Sequence, residues 1–205
     1  MAKIKLTKNE LKKQKDALKM YRRYLPTLQL KKQQLQVEIR SIESRAAELA
    51  ARREALDAEF RAWIGVFGEA EAAYGPDGAP LLSVSAVRTG SGNIAGVEIP
   101  VFEGADFVLA DYDLFAVPLW VDAALDRLRA ALLIDLERRV LDEQILRLAT
   151  ELRTTTQRVN LFEKVKIPEA QGNIKRIRIY LGDQQTAQVV RGKIAKRKVV
   201  QGAAS

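Results

Sequence analysis

A heptad register that runs unbroken through residues 8–63 constrains what this chain can fold into more than any other feature. With Leu11 at position a, the a positions are Leu11, Leu18, Leu25, Lys32, Ile39, Ala46, Arg53 and Phe60. The d positions are Gln14, Tyr21, Leu28, Leu35, Ile42, Leu49, Leu56 and Trp63. Thirteen of these sixteen residues are apolar, and side chains spaced alternately three and four apart form one stripe that a second surface must cover. The register passes Pro26 without a shift. A proline leaves the carbonyl of Arg22 without a donor, at a cost of about 3 kcal/mol in a helix interior. At position b, however, it removes no stripe residue, so the sequence predicts one helix across it with a bend at Pro26. Thr7 and Glu10 have the spacing of a capping box at its start. The predicted helix covers Lys8 to Trp63, about 80 Å at 1.5 Å per residue.

A second stripe occupies the C-terminal part: Ile134, Leu141, Ile145, Leu148, Leu152, Thr155, Val159 and Phe162, resuming after Pro168 with Ile174, Ile177, Leu181, Ala187, Val190 and Ile194. The step from Leu181 to Ala187 breaks the heptad and predicts a local change of supercoil. Each stripe needs a facing surface, and the simplest is the other helix, folded back as an antiparallel pair. Pro168 is the second predicted bend. If the bends nest, Pro26 and Pro168 lie at one level; 37 residues follow Pro168 and 25 precede Pro26, so the C-terminal helix overhangs by about 12 residues, roughly 18 Å.

Between the helices the composition turns to glycine, proline and β-branched residues. Leu82–Arg88 and Ile94–Phe102 are predicted strands joined by a turn at "GSGN". "GSGNIAG" lacks the following Lys-Ser/Thr of a phosphate loop and does not join a strand to a helix. The predicted organisation is therefore an N-terminal helix (1–63), a central region with a hairpin at about 82–102 (64–118), and a C-terminal helix with a basic tail (119–205), a mainly α antiparallel two-helix coiled coil. Lying between the rods, the hairpin adds nothing to either stripe. Asp106, Asp111 and Asp113 lack the spacing of a known cation loop and read as solvated loop carboxylates. Trp63 and Trp120 flank the central region, with core packing as the expected role. Lys32 and Arg53 at a positions are expected to lay their stems on the stripe with the charge in water.

The chain has no Cys and no His, which removes disulfides, thiolate and imidazole metal ligands, and Ser-His or Cys-His catalysis. No apolar run is long enough to span a bilayer, and the charged N-terminus is unlike a signal peptide, so a soluble cytoplasmic protein is expected. Charge is unevenly placed. Residues 1–40 carry 12 Lys/Arg against 3 Asp/Glu, residues 41–163 carry 12 against 21, and residues 164–205 carry 10 against 2. Folding the helices back brings both basic ends to one tip. Three classes can use such a molecule: a nucleic-acid binder gripping phosphates, a coiled-coil adaptor for an acidic partner, or a stiff bent shaft.

"LTKNELKKQKDALKMYRRYLPTLQLKKQQL", "GVEIPVF" and "RVNLFEKVKIPEAQGNIKRIRIYLGDQQTAQVVRGKIAKRK" resemble the D subunit of V-type (V/A-type) rotary ATPases, over both helices and part of the hairpin. The most specific part is Arg158-Val159-Asn160 followed by Leu161, Glu163 and "IP". The family more often has "NALE" where this chain has "NLFE", and usually lacks the proline of "YLPTL". The resemblance implies a non-catalytic central-stalk rotor shaft without cofactor, coupling ATP synthesis or hydrolysis to ion translocation. Its implied partners are the catalytic and non-catalytic subunits of the hexamer, the small F subunit of the central stalk and a membrane rotor socket subunit, with no nucleic acid and no direct membrane insertion. It implies a hexamer-bearing tip at Lys193, Lys196, Arg197 and Lys198, a partner region around Val84, Val87, Ile94, Val97 and Ile99, and a place in the cytoplasm peripheral to the membrane. The alternative is a basic coiled-coil adaptor for nucleic acid or an acidic protein.

Overall fold

The structure, a computed structural model, describes residues 4–63, 80–112, 118 and 120–202. In chain order the elements are α1 (Lys8–Trp63), β1 (Leu82–Ile94), β2 (Val97–Leu109), α2 (Trp120–Asn160), a π-helical turn (Leu161–Lys166) and α3 (Ile167–Gly202). Of the predicted central region, residues 64–79 and 113–117, Asp113 among them, lie outside the described residues, as does the side chain of Trp63. Helix α1 has the predicted bounds and includes Pro26. Its first turn is capped by Thr7, whose hydroxyl accepts from the Glu10 N–H at 3.3 Å and whose carbonyl accepts from the Leu11 N–H at 3.0 Å. The reciprocal half of the capping box does not form. The Glu10 carboxylate accepts instead from the Gln14 amide at 2.8 Å, its neighbour one turn along the same face.

The hairpin is longer than predicted and turns elsewhere. Ile94 pairs with Val97, leaving a two-residue turn of Ala95 (φ 52°) and Gly96 (φ 80°). Positive φ at both central residues is the geometry whose twist matches that of the strands, and Asn93 Oδ1 accepts from the Gly96 N–H at 3.0 Å to close it. The predicted turn "GSGN" is part of β1 instead, with Gly90 opposite Val101 and Gly92 opposite Ile99. The register shifts between Val84 and Ala86 and between Arg88 and Thr89, and beside the second shift Gly104 adopts φ 146°, a conformation open essentially to glycine.

The chain divides into two compact units, residues 33–153 and residues 1–32 with 154–205. In the first, Leu35, Ile39, Ile42 and Leu49 of α1 meet Leu141 and Leu148 of α2 and Ile99 of β2 in one apolar cluster. Ile94, Ala95 and Val97 pack against it. The hairpin therefore contributes to the core, contrary to the expectation that it adds nothing to the stripes. Its turn end is apolar on the face that meets the helices, and a two-stranded ribbon is marginal without such cover. Pairing of Arg45 with Glu137 at 2.7 Å and of Arg127 with Glu59 sets α1 and α2 antiparallel here.

In the second unit, the rings of Tyr21 and Phe162 lie 5.1 Å apart, and the Asn173 amide donates to Gln14 Oε1 at 3.4 Å. These contacts fix an antiparallel register. Pro168 falls between Phe162 and Asn173 and so faces the stretch between Gln14 and Tyr21. Pro26 lies beyond Tyr21 and faces the helix preceding Phe162. The prolines are thus not at one level. Pro168 is accommodated locally: the Ile167 N–H reaches back to the Phe162 carbonyl, five residues away, and this widened turn takes up the place where proline has neither an N–H nor room for an α-turn. The overhang is correspondingly longer than predicted, since α3 runs 29 residues past Asn173 to Gly202 whereas α1 begins six residues before Gln14, at Lys8.

Candidate functional site

Packing distinguishes the inward faces of the helices. In the 33–153 unit Leu35, Ile39, Ile42, Leu49, Leu141 and Leu148 are buried and Leu56, Ile145 and Leu152 half-buried. In the other unit Leu11, Leu18, Leu25, Leu28 and Phe162 are half-buried and Val159 buried. The heptads do not include Val121, Ala131, Val140 or Ala170, which are also buried, nor the buried polar residues Gln144 and Asn173. Of the two cations at a positions, Lys32 is half-buried and Arg53 is bound on both sides. Arg53 pairs with Asp57 on its own helix and with Asp135 of α2 at 3.2 Å. Its hydrogen bond to Asp57 raises its pKa, against a smaller opposing effect of burial.

The predicted tip residues Lys193, Lys196, Arg197 and Lys198 lie on α3 in a segment whose every residue from Gly182 to Val199 is exposed. Ala187, Val190 and Ile194, the last residues of the predicted stripe, are exposed with them. Earlier on α3 the stripe is covered, with Ile174 at 7% and Ile177 at 0% exposure. The basic ends of the sequence meet in this unit. It holds 22 Lys/Arg against 5 Asp/Glu, whereas the 33–153 unit holds 12 against 21 and no lysine. A groove of about 630 Å³ between α1 and α3 is lined by Lys15, Lys19, Arg22, Lys175 and Arg178 over Leu18, Ile174 and Ile179, so cations from both ends share one surface.

The five apolar residues expected to meet a rotor partner separate into two sets. Val84 and Val87 are exposed on β1, at 38% and 42%. Ile99 is buried at 5%, and Ile94 and Val97 pack against the chain's own core, which leaves Val84 and Val87 as the accessible pair. Asp106 is a strand residue rather than a loop carboxylate, bound to Arg88 of β1, and Asp111 is exposed. Trp120 is half-buried at the start of α2. Arg129 of α2 sits 5.3 Å over the ring of Phe107. Among the described residues no cluster of carboxylates could hold a metal ion.

Among the described residues, the α3 segment Gly182–Val199 and the β1 pair Val84 and Val87 stand exposed. The family of ATP synthase D subunits matches residues 10–197. The D subunit of the V-type ATP synthase of Borreliella burgdorferi is 50% identical over 200 residues, covering 98% of this chain and 96% of the relative. The corresponding D subunit of Chlamydia trachomatis is 35% identical over 97% of each chain, and that of Chlamydia pneumoniae 32% identical over 96% of this chain and 93% of the relative. The alternative of a nucleic-acid adaptor gains no support from these matches. The agreement runs from the first helix through the hairpin to the basic end of α3, and the chain belongs to the ATP synthase D-subunit family.

Proposed function

We propose that the chain is the rotor shaft of the central stalk of a V-type rotary ATPase, a non-catalytic subunit that couples ATP synthesis or hydrolysis to ion translocation. The observation that carries this reading is the segment Gly182–Val199. It is helical and exposed on every side, with Val190 and Ile194 alongside Arg191, Lys193, Lys196, Arg197 and Lys198, a combination suited to entering a hole in another body. The catalytic and non-catalytic subunits of the hexamer supply that hole, and Pro26 and Pro168 supply curvature, so rotation presents a different face to each interface in turn. The small F subunit of the central stalk and a membrane rotor socket subunit complete the contacts, the latter at Val84 and Val87. The shaft works on the cytoplasmic side, peripheral to the membrane. No described helix is long and apolar enough to cross a bilayer.

Removing the residues after Gly192 tests this. The truncated chain is expected to weaken assembly or torque in the reconstituted complex while ATP still binds the hexamer. Individual exposed ion pairs contribute only about 0–1 kcal/mol, so the loss reads on fit rather than on one contact. Unchanged assembly and torque would show that the tip is no bearing, and loss of nucleotide binding itself would place this chain in the catalytic site.

A further inference from the structure

Strand β2 contains Pro100, and its position is informative. Proline has no N–H for a ladder, so within a sheet it sits where the backbone points away from the neighbouring strand. In an antiparallel pair the backbone groups of alternate residues point the same way. Glu98 and Pro100 therefore both turn their carbonyls away from β1, toward the free edge of the hairpin. Both carbonyls are met from α2. Gln144 donates its side-chain amide to Pro100 O, and Arg147 Nη1 donates to Glu98 O at 3.3 Å. The donors are three residues apart on one face of a helix, about 4.5 Å of rise, and the acceptors two residues apart on a strand, about 6.6 Å. Side chains of this length span the difference. Gln144 is 7% exposed, and Arg147 is oriented by Glu143 one turn back.

Apolar contacts alone would leave the ribbon free to slide over the helices, because dispersion and burial have no direction. Ile99, Ile94 and Val97 supply that burial. The two donors supply direction and register, and satisfy two carbonyls on the outer edge of β2. We propose that Gln144 and Arg147 latch the hairpin to α2, so that the 33–153 unit turns as one rigid body, and that they are positioning residues through which torque passes between the hairpin and the helices. The latch stands on its own geometry. Its role in torque rests on the shaft reading above.

The test is the full-length double variant Gln144→Met/Arg147→Met, which keeps side-chain length and helix preference and removes both donors. Amides of Ile99 and Val101, which point toward β1, are followed by hydrogen exchange, with core amides of α2 as the reference. Losing each bond is expected to speed exchange about fivefold, so the double variant gives roughly 25-fold at Ile99 and Val101 and less than twofold around Leu148. Arg147→Ala alone, at a side chain 45% exposed, carries no risk to folding and is expected to give about fivefold; Arg147→Lys restores most of the protection. Wild-type exchange in both variants would overturn the latch. In the reconstituted complex, ions moved per ATP hydrolysed is expected to fall at least twofold with the double variant. Wild-type coupling alongside raised exchange would overturn the torque role, whereas a wild-type chain that fails to couple would overturn the shaft reading and leave the exchange result to judge the latch.

Discussion

Leu148 and Leu146 stand two residues apart on α2 and face opposite ways, one 0% and the other 67% exposed. The same substitution at each separates inward packing from helix propensity. Leu148→Ala deletes a fully buried side chain from the apolar cluster that α1, α2 and Ile99 of β2 share. Large-to-small changes of this kind cost about 2–5 kcal/mol, more where the walls cannot collapse. Walls drawn from three elements relax poorly, so about 3–4 kcal/mol is expected. Leu146→Ala is expected within about 0.5 kcal/mol of zero. Trp63 and Trp120 are the chain's only tryptophans and both belong to the 33–153 unit, so fluorescence during urea unfolding reports this unit selectively. With a slope of about 2–3 kcal/mol per molar urea, the Leu148→Ala midpoint falls by about 1–2 M and that of Leu146→Ala barely moves. Equal shifts for the two variants would refute the assignment of the inward face.

Three further outcomes follow from single features. Ala95 holds φ 52° without being glycine, at about 1 kcal/mol; Ala95→Asn creates the preferred Asn-Gly turn and is expected to raise Tm by about 1–3 °C in calorimetry, a fall contradicting the turn assignment. The Gln14–Asn173 pair specifies helix register rather than adding much stability, so Gln14→Leu/Asn173→Leu is expected to keep or raise Tm while broadening spin-label distances between α1 and α3; a single sharp distance would show that apolar packing alone sets the register. The Tyr112 hydroxyl donates to Asp122 Oδ1 at 2.5 Å, and this bond raises its pKa above 10.0. The neutral phenol is the favoured partner, so the interaction is present below the ordinary value and is lost as pH rises through the raised one; Asp122→Ala is expected to move the titration, followed by ultraviolet absorbance, down toward 10.0, and an unmoved curve would show that the bond has no such effect.

The helices are legible in the sequence because a heptad states which face is inward without needing to know the partner. That is why α1 keeps its predicted bounds through Pro26. The level of one helix against the other is not legible, because a heptad looks alike every seven residues. Contacts such as Tyr21 with Phe162 and Asn173 with Gln14 choose among the registers, and no spacing rule announces them. The hairpin stands in the expected part of the chain, yet the glycine-rich "GSGN" misleads about its turn because both flanks favour strand. The turn forms where positive φ falls on consecutive residues, Ala95 and Gly96, a site with only one glycine. Gln144 and Arg147 escape a sequence reading for a different reason. Their acceptors are backbone carbonyls 44 and 49 residues away, and a carbonyl leaves no mark in a side-chain pattern; the one available hint is Pro100, whose missing N–H marks an outward-facing edge. Val84 and Val87 cannot be told from Ile94, Val97 and Ile99 by composition, since only packing separates the free from the covered.

As a shaft, this chain is proposed to turn inside a hexamer and carry torque. The most direct test is single-molecule observation of the reconstituted complex, with the hexamer fixed to a surface and a probe attached to the hairpin of this chain through an engineered cysteine at the exposed Val108, in a sequence that has no other cysteine. ATP is predicted to drive stepwise rotation of the probe in one direction, at a rate that tracks hydrolysis. Hydrolysis at the normal rate with a stationary probe would show that this chain is not the shaft.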